Sequence, residues 1–170
     1  MSKHTNLQCV VSLGANLPSA MGMPAETLLL AADRLSEMST GPLLRSSLYR
    51  TAPLGCPPDT PDFINAVVSL ELPQNAQAAD FLHDLLRLER EFGRSRNQIS
   101  RVLDLDLISF GDQQYCTPQL TVPHPRAHLR RFVLQPLVEI CPDLVLAGFS
   151  KSARELLREL DDNSSVKQIK

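Results

Sequence analysis

The sequence has no tryptophan and only two tyrosines, which leaves little for a platform that stacks unpaired bases. It also lacks an excess of positive charge. Its 17 Lys and Arg against 19 Asp and Glu give a net charge of −2, which argues against general affinity for nucleic acid and makes any basic patch local. No apolar run approaches the ~20 residues needed to span a bilayer. The opening Met1-Ser-Lys-His-Thr-Asn6 leads into a short apolar stretch that soon meets Gly14, a pattern unlike a secretory leader, so a cytoplasmic protein is expected. The four cysteines, Cys9, Cys56, Cys116 and Cys141, form no Cys-x-x-Cys pair and read as buried or idle thiols. His124 and His128 are spaced i, i+4, but Pro125 stands between them and no third ligand accompanies them, so zinc is not expected.

What the sequence does have is Arg101-Val-Leu-Asp-Leu-Asp-Leu-Ile-Ser-Phe-Gly111, a run of branched and apolar residues ending at Gly111-Asp112. It reads as a β-strand. Side chains at i and i+2 share a strand face. Asp104 and Asp106 therefore project together, ~7 Å apart, while Leu103, Leu105 and Leu107 enter a core. An Asp-x-Asp on the wet side of a strand is ordinarily inert, yet Asp is depleted in strands and a pair needs a reason. A hard divalent cation such as Mg²⁺ supplies one, keeping positions open for water or phosphate. Arg94, Arg96 and Arg101 precede the pair, and Arg126, Arg130 and Arg131 follow it. Guanidinium forks match phosphate oxygens, so a polyphosphate ester is the indicated ligand class.

The length, 170 residues, suits one domain spanning 1–170, with 1–6 and 161–170 expected to be frayed ends. Residues 7–13 read as a central strand, followed by the Gly14–Pro18 turn and a helix from Pro24 to about Met38. A second strand is expected over 43–50 and a third over 63–72. Between them lies a loop with four prolines (Pro53, Pro57, Pro58, Pro61), either a stiff connector or the wall of a site. Asn65, flanked by apolar residues, needs hydrogen-bond partners; the backbone is the ordinary answer and a flat heterocycle the functional one. A helix over 76–92 carries the stripe Phe81, Leu82, Leu85, Leu88 and Phe92, with Glu89 on its edge. After the carboxylate strand, Pro123-His-Pro-Arg126 opens a helix bearing Phe132, Val133, Leu134, Leu137 and Ile140, and a last helix covers about 153–160. The order β-α-β-β-α-β plus a helical extension is an α+β, ferredoxin-like pattern, an antiparallel sheet with helices on one face and the Asp pair on the other, open face.

Six segments together resemble the 6-hydroxymethyl-7,8-dihydropterin pyrophosphokinase family of folate biosynthesis. They are Ser12-Leu-Gly-Ala-Asn-Leu17, Tyr49-Arg-Thr-Ala-Pro-Leu-Gly55, Pro61-Asp-Phe-Ile-Asn-Ala66, Leu88-Glu-Arg-Glu-Phe-Gly-Arg94, Arg101-Val-Leu-Asp-Leu-Asp-Leu107 and Val122-Pro-His-Pro-Arg126, the last continuing into Arg130-Arg-Phe-Val-Leu-Gln-Pro-Leu137. Each is weak alone; six in order are specific.

The resemblance implies transfer of pyrophosphate from ATP to the pterin's hydroxymethyl group, with release of AMP and two Mg²⁺ ions involved. It makes Asp104 and Asp106 the metal ligands. It places Thr51, Pro53, Leu54, Phe63, Asn65 and Phe132 around the pterin, and Glu89, Arg94, Arg101, His124 and Arg130 near the triphosphate. Arg94, Arg101 and Asp106 are then the groups expected to act on the transferring phosphoryl, with Asp106 or solvent taking the hydroxyl proton. Partners are small molecules, with no nucleic acid and no membrane, and a monomer is expected.

The chain departs from the family at its loop before the carboxylate strand. Only Asn97-Gln-Ile-Ser100 joins Arg96 to Arg101, without the family's aromatic residue and Gly-Pro; Gln119 also stands where an arginine is often found. In the family that loop closes over the substrates. The short form implies, as the alternative, a catalytically weak or silent relative that binds pterin or nucleotide. A ferredoxin-like regulatory or RNA-binding module is the third reading, opposed by the few aromatics and the two carboxylates on the proposed binding face.

Overall fold

The computed structural model describes residues 6–53, 55–94 and 100–170. Leu54, Arg96 and residues 97–99 of the short loop lie outside the described residues, as do 1–5.

A single antiparallel sheet organises the chain. Strand β1 (Leu7–Ala15) pairs with β4 (Phe63–Leu72) on one edge and with β5 (Asp104–Phe110) on the other. Beyond β4 come β2 (Leu44–Arg45) and β3 (Tyr49–Thr51), and β3 pairs in turn with β8 (Val166–Gln168), giving the order β5-β1-β4-β3-β8. A separate two-stranded ribbon joins β6 (Tyr115–Cys116) to β7 (Thr121–Val122). This is the α+β, antiparallel, ferredoxin-like arrangement expected. No helix among the described residues is long and apolar enough to cross a membrane.

One sheet face packs against α1 (Pro24–Met38) and α2 (Ala78–Glu91). Leu28, Ala31 and Leu35 of α1 and Phe81, Leu85 and Leu88 of α2 meet Val11, Leu13, Leu70, Leu105 and Phe110 in one buried cluster. Leu103, Leu105 and Leu107 all enter it, as the strand alternation requires. Gly93, at φ 91°, adopts the left-handed conformation that ends α2 and leads toward Arg94.

The second face is not open, which corrects the expectation. Helices α3 (Arg131–Ile140) and α4 (Ala153–Glu159) cover the part bearing Val10, Val67 and Ile108, burying Val133, Leu134, Leu137 and Ala153 against it. Further along the same strands the residues turn polar, to Ser12, Asn65 and Asp106. An apolar helix face has nothing to bury against there, and this polar stretch forms the floor of a cleft.

Four further differences have local causes. The expected strand over 43–50 is broken because Ser46 substitutes its hydroxyl for the ladder: its Oγ accepts the Val67 N–H at 2.9 Å and donates to the Ser47 carbonyl at 2.8 Å. The carboxylate strand starts at Asp104, not Arg101, because Arg101 is tied to Asn16. The Arg101 N–H donates to Asn16 Oδ1 at 2.7 Å, and its carbonyl accepts the Asn16 and Leu17 N–H groups. The segment after Pro123 makes a short 3₁₀ turn, Ala127–Leu129, before α3 begins at Arg131. The C-terminal tail, expected to fray, instead supplies β8 along β3.

Candidate functional site

Across the sheet floor, strand register sets the side chains side by side. Ser12 on β1 faces Asp106 on β5, while Gly14 faces Asp104 on one side and Asn65 on the other. A Cβ at Gly14 would lie 3.3 Å from Asn65 Oδ1, so glycine leaves that oxygen accessible. Asn65 donates its amide N–H to Thr51 Oγ1 at 2.9 Å, so its partner is a side chain and not the backbone expected. With strands ~4.8 Å apart, Asn65 and Asp104 stand about 10 Å from each other across Gly14 of β1.

A cavity of about 420 Å³ opens over this floor, a size suited to a small-molecule ligand. Asp104, Asp106, Arg101, Arg126, Arg130 and His124 line it from β5 and the loop before α3. Thr51, Pro53, Cys56, Phe63, Asn65 and Phe132 line it from the β3–β4 region and α3. The proline-rich loop therefore contributes a wall. One end of the cavity is ionic, and the other is apolar with a hydrogen-bonding asparagine.

Charge balance at the ionic end is specific. Arg101 Nη1 contacts Asp104 Oδ2 at 2.5 Å, and Arg94 Nη1 lies 3.2 Å from Asp104 Oδ1. Arg130 stands 3.9 Å from Asp106 Oδ2 and also lies over the Phe132 ring, 5.4 Å from its centroid. Burial and the neighbouring Asp104 charge raise the Asp106 pKa above the usual carboxylate value, against the pull of His124, Arg130 and Arg101. Burial, with Arg130 and Arg126 close by, lowers the His124 pKa from 6.5 although Asp106 opposes the shift. His124 Nδ1 accepts the Arg126 N–H at 3.1 Å, which leaves the proton of the neutral ring on Nε2.

Two residues expected near the triphosphate do not line the cavity themselves. Glu89 is only 1% exposed and does not line the cavity. Its Oε1 accepts the Leu105 N–H at 2.7 Å and its Oε2 pairs with Arg94. Burial raises the Glu89 pKa, and the Leu105 N–H and the Arg94 charge offset part of that rise. Arg94 likewise stands behind Asp104 rather than on the cavity wall. Arg131 turns away altogether and bonds Asp162. Leu54 and Arg96 lie outside the described residues. Ser12 and Ser164 line the cavity without having been singled out. Ser12 was legible as the residue two before Gly14 on one strand face, whereas nothing in the polar tail marked Ser164.

Comparison with known proteins assigns the chain to a family. A family model described as 7,8-dihydro-6-hydroxymethylpterin-pyrophosphokinase matches residues 10–142. The chain belongs to this family. It is similar to the 2-amino-4-hydroxy-6-hydroxymethyldihydropteridine pyrophosphokinase of Haemophilus influenzae, at 38% identity over 160 residues, 92% of this chain and 95% of that protein. The enzyme of the same name from Pseudomonas aeruginosa is 40% identical over 139 residues, 80% of this chain and 82% of that protein. In fold, the chain is similar to a Plasmodium falciparum HPPK-DHPS crystallised with pterin and p-hydroxybenzoate. The TM-score is 0.66 at 13% identity, covering 94% of this chain and 44% of that one. The pyrophosphokinase resemblance carried by the six segments therefore holds, and the enzyme class is a diphosphokinase, for which ATP is the family's co-substrate.

Proposed function

We propose that the cleft transfers the terminal two phosphoryl groups of ATP, as one unit, to the hydroxymethyl group of 6-hydroxymethyl-7,8-dihydropterin, releasing AMP. The observation that carries this reading is the joining of the Asp104–Asp106 pair and the Asn65–Thr51 pair in one cavity. A flat bicycle with a polar edge suits the slot between Phe63 and Phe132, where Asn65 has an accessible oxygen. Pro53 forms the wall beside Thr51.

At the other end, Arg101 and Arg130 neutralise the triphosphate, and the neutral His124 offers its Nε2–H to a phosphate oxygen. Among the described residues no cluster of three or more His, Cys, Asp or Glu could hold a metal by itself. Two carboxylates and no further protein ligand fit Mg²⁺, which commonly takes one or two carboxylates and completes its shell with phosphate oxygens and water. Asp104 and Asp106 would hold it, and bound there it supplies charge neutralisation on the phosphates. Displacing Arg101 from Asp104 would free its guanidinium for the nucleotide, while Arg94 keeps its partner Glu89.

In the transfer, the pterin hydroxyl oxygen attacks the β-phosphorus. The bond from that phosphorus to the α–β bridging oxygen breaks, and AMP leaves with the electron pair. The hydroxyl proton passes to Asp106 or to solvent.

The direct test is AMP release from ATP and Mg²⁺, with and without the pterin. AMP formed only with pterin supports the transfer. The short segment before Arg101 favours one second reading, a pterin- or nucleotide-binding relative with weak or silent chemistry. Pterin binding by calorimetry with no AMP would establish that reading instead.

A further inference from the structure

The first turn of α3 has an unsatisfied backbone donor, the Arg131 N–H, as every helix start does. Asp162, from the tail, accepts it through Oδ2 at 3.0 Å, while its Oδ1 accepts the Ser164 N–H at 2.8 Å. The Asp162 carbonyl also accepts the Arg131 Nε–H at 2.7 Å. One residue thus ties the start of α3 to the tail. The next residue of α3, Phe132, lines the cavity, and so does Ser164, two residues along the tail.

The tail holds a third cavity residue in place. Val166 of β8 is the register partner of Thr51, on the edge of β3 opposite Phe63 of β4. Gln168 Nε2 donates to Ser47 Oγ at 2.8 Å, and the Ile169 N–H donates to the Leu48 carbonyl at 2.8 Å. Thr51, Phe132 and Ser164 are therefore all positioned by the one C-terminal stretch that the sequence presents as a polar end.

We propose that the tail, residues 161–168, is a wall of the acceptor end of the cavity, with Asp162 as its positioning residue and Ser164 as a specificity-determining contact for the flat heterocyclic acceptor. The inference rests on the reading of the cavity given above. The ATP end takes no residue from the tail, so acceptor recognition and nucleotide recognition respond differently when the tail is altered.

Steady-state kinetics on the full chain separate these effects. In Asp162→Ala the pterin KM is expected to rise about tenfold, the scale of one lost charge-assisted hydrogen bond, and the ATP KM by clearly less, since Arg130 at the ATP end adjoins the held N–H. Asp162→Asn, which keeps one acceptor oxygen, is expected to recover part of that rise. Ser164→Phe keeps the Asp162 bonds but fills the cavity, and is expected to weaken pterin and not ATP. A general structural defect would raise both KM values by the same factor and would overturn the proposal. Unchanged pterin KM in Asp162→Ala also overturns it; if that variant does not fold, unchanged pterin KM in Ser164→Phe does so. Wild-type protein that binds no pterin would overturn the cavity reading itself, a result distinguishable from wild-type binding with unaffected variants.

Discussion

Glu89 Oε1 accepts the N–H of Leu105, the residue between the two cleft aspartates, at 2.7 Å. Its other oxygen pairs with Arg94, which in turn reaches Asp104. Because Leu105 is buried on the far face, this bond fixes the backbone from which Asp104 and Asp106 project. Glu89→Gln keeps an acceptor for Leu105 but loses the charge facing Arg94. Its kcat is expected to fall about tenfold, within the range found for groups that orient metal ligands. Glu89→Ala leaves a buried N–H unpaired and should also cost about 1–3 kcal/mol of stability. Kinetics and urea unfolding on both variants check this, and an Ala variant with wild-type kcat would remove Glu89 from the positioning role.

Asp104→Ala and Asp106→Ala should each reduce Mg²⁺-dependent AMP formation at least ~10²-fold, the scale of losing a preorganised electrostatic group. The fold should persist, since both side chains lie at the cleft surface and Leu105 stays in the core. Circular dichroism alongside the AMP assay is the measurement. Turnover unchanged in either variant would sink the metal assignment.

The aspartates were legible in the sequence because strand periodicity is a local property: two residues apart means one face, whatever the partner strands. The stripes of α1 and α2 were legible for the same reason. Destinations set by distant chain were not. Arg130 and Arg131 are neighbours of equal charge, yet the start of α3 sends one over Phe132 and the other to Asp162. Glu89 lay on the edge of an apolar stripe, but only the docking of α2 under β5 shows that it meets Leu105. Strand β8 has almost no apolar alternation; main-chain pairing to the free edge of β3 specifies it, and no composition announces such a bond.

Phe63 is half-buried at the start of β4 and lines the apolar end of the cavity. Phe63→Ala removes a stacking surface worth about 1 kcal/mol or more, so the pterin Kd should rise at least ~5-fold. Affinity for an ATP analogue should not move. Calorimetric titration with each ligand separates the two, and unchanged pterin affinity would take Phe63 out of the slot.

The contact between β3 and α3 should leave its mark on stability at both ends of the pH scale. The Tyr49 hydroxyl donates to Glu139 Oε2 at 2.8 Å, and the Ser47 hydroxyl donates to Glu139 Oε1 at 2.7 Å. Hydrogen bonds from Ser47 and Tyr49 outweigh burial and hold the Glu139 pKa below its ordinary 4.5. A depressed folded-state pKa stabilises the fold above pH 4.5, and that contribution disappears as pH falls through the folded value. Tyr49 moves the other way: burial, then the hydrogen bond and charge of Glu139, push it up to about 12 from 10.0. A raised folded-state pKa contributes stability below pH 10, and that contribution is lost as pH rises from 10 toward 12. Glu139→Gln should therefore flatten the acid limb of the unfolding temperature against pH, while Tyr49→Phe should flatten the alkaline limb. Thermal melts across the pH range decide the matter: a Tyr49→Phe variant that still loses stability between pH 10 and 12 as steeply as the wild type would mean that another group governs that limb.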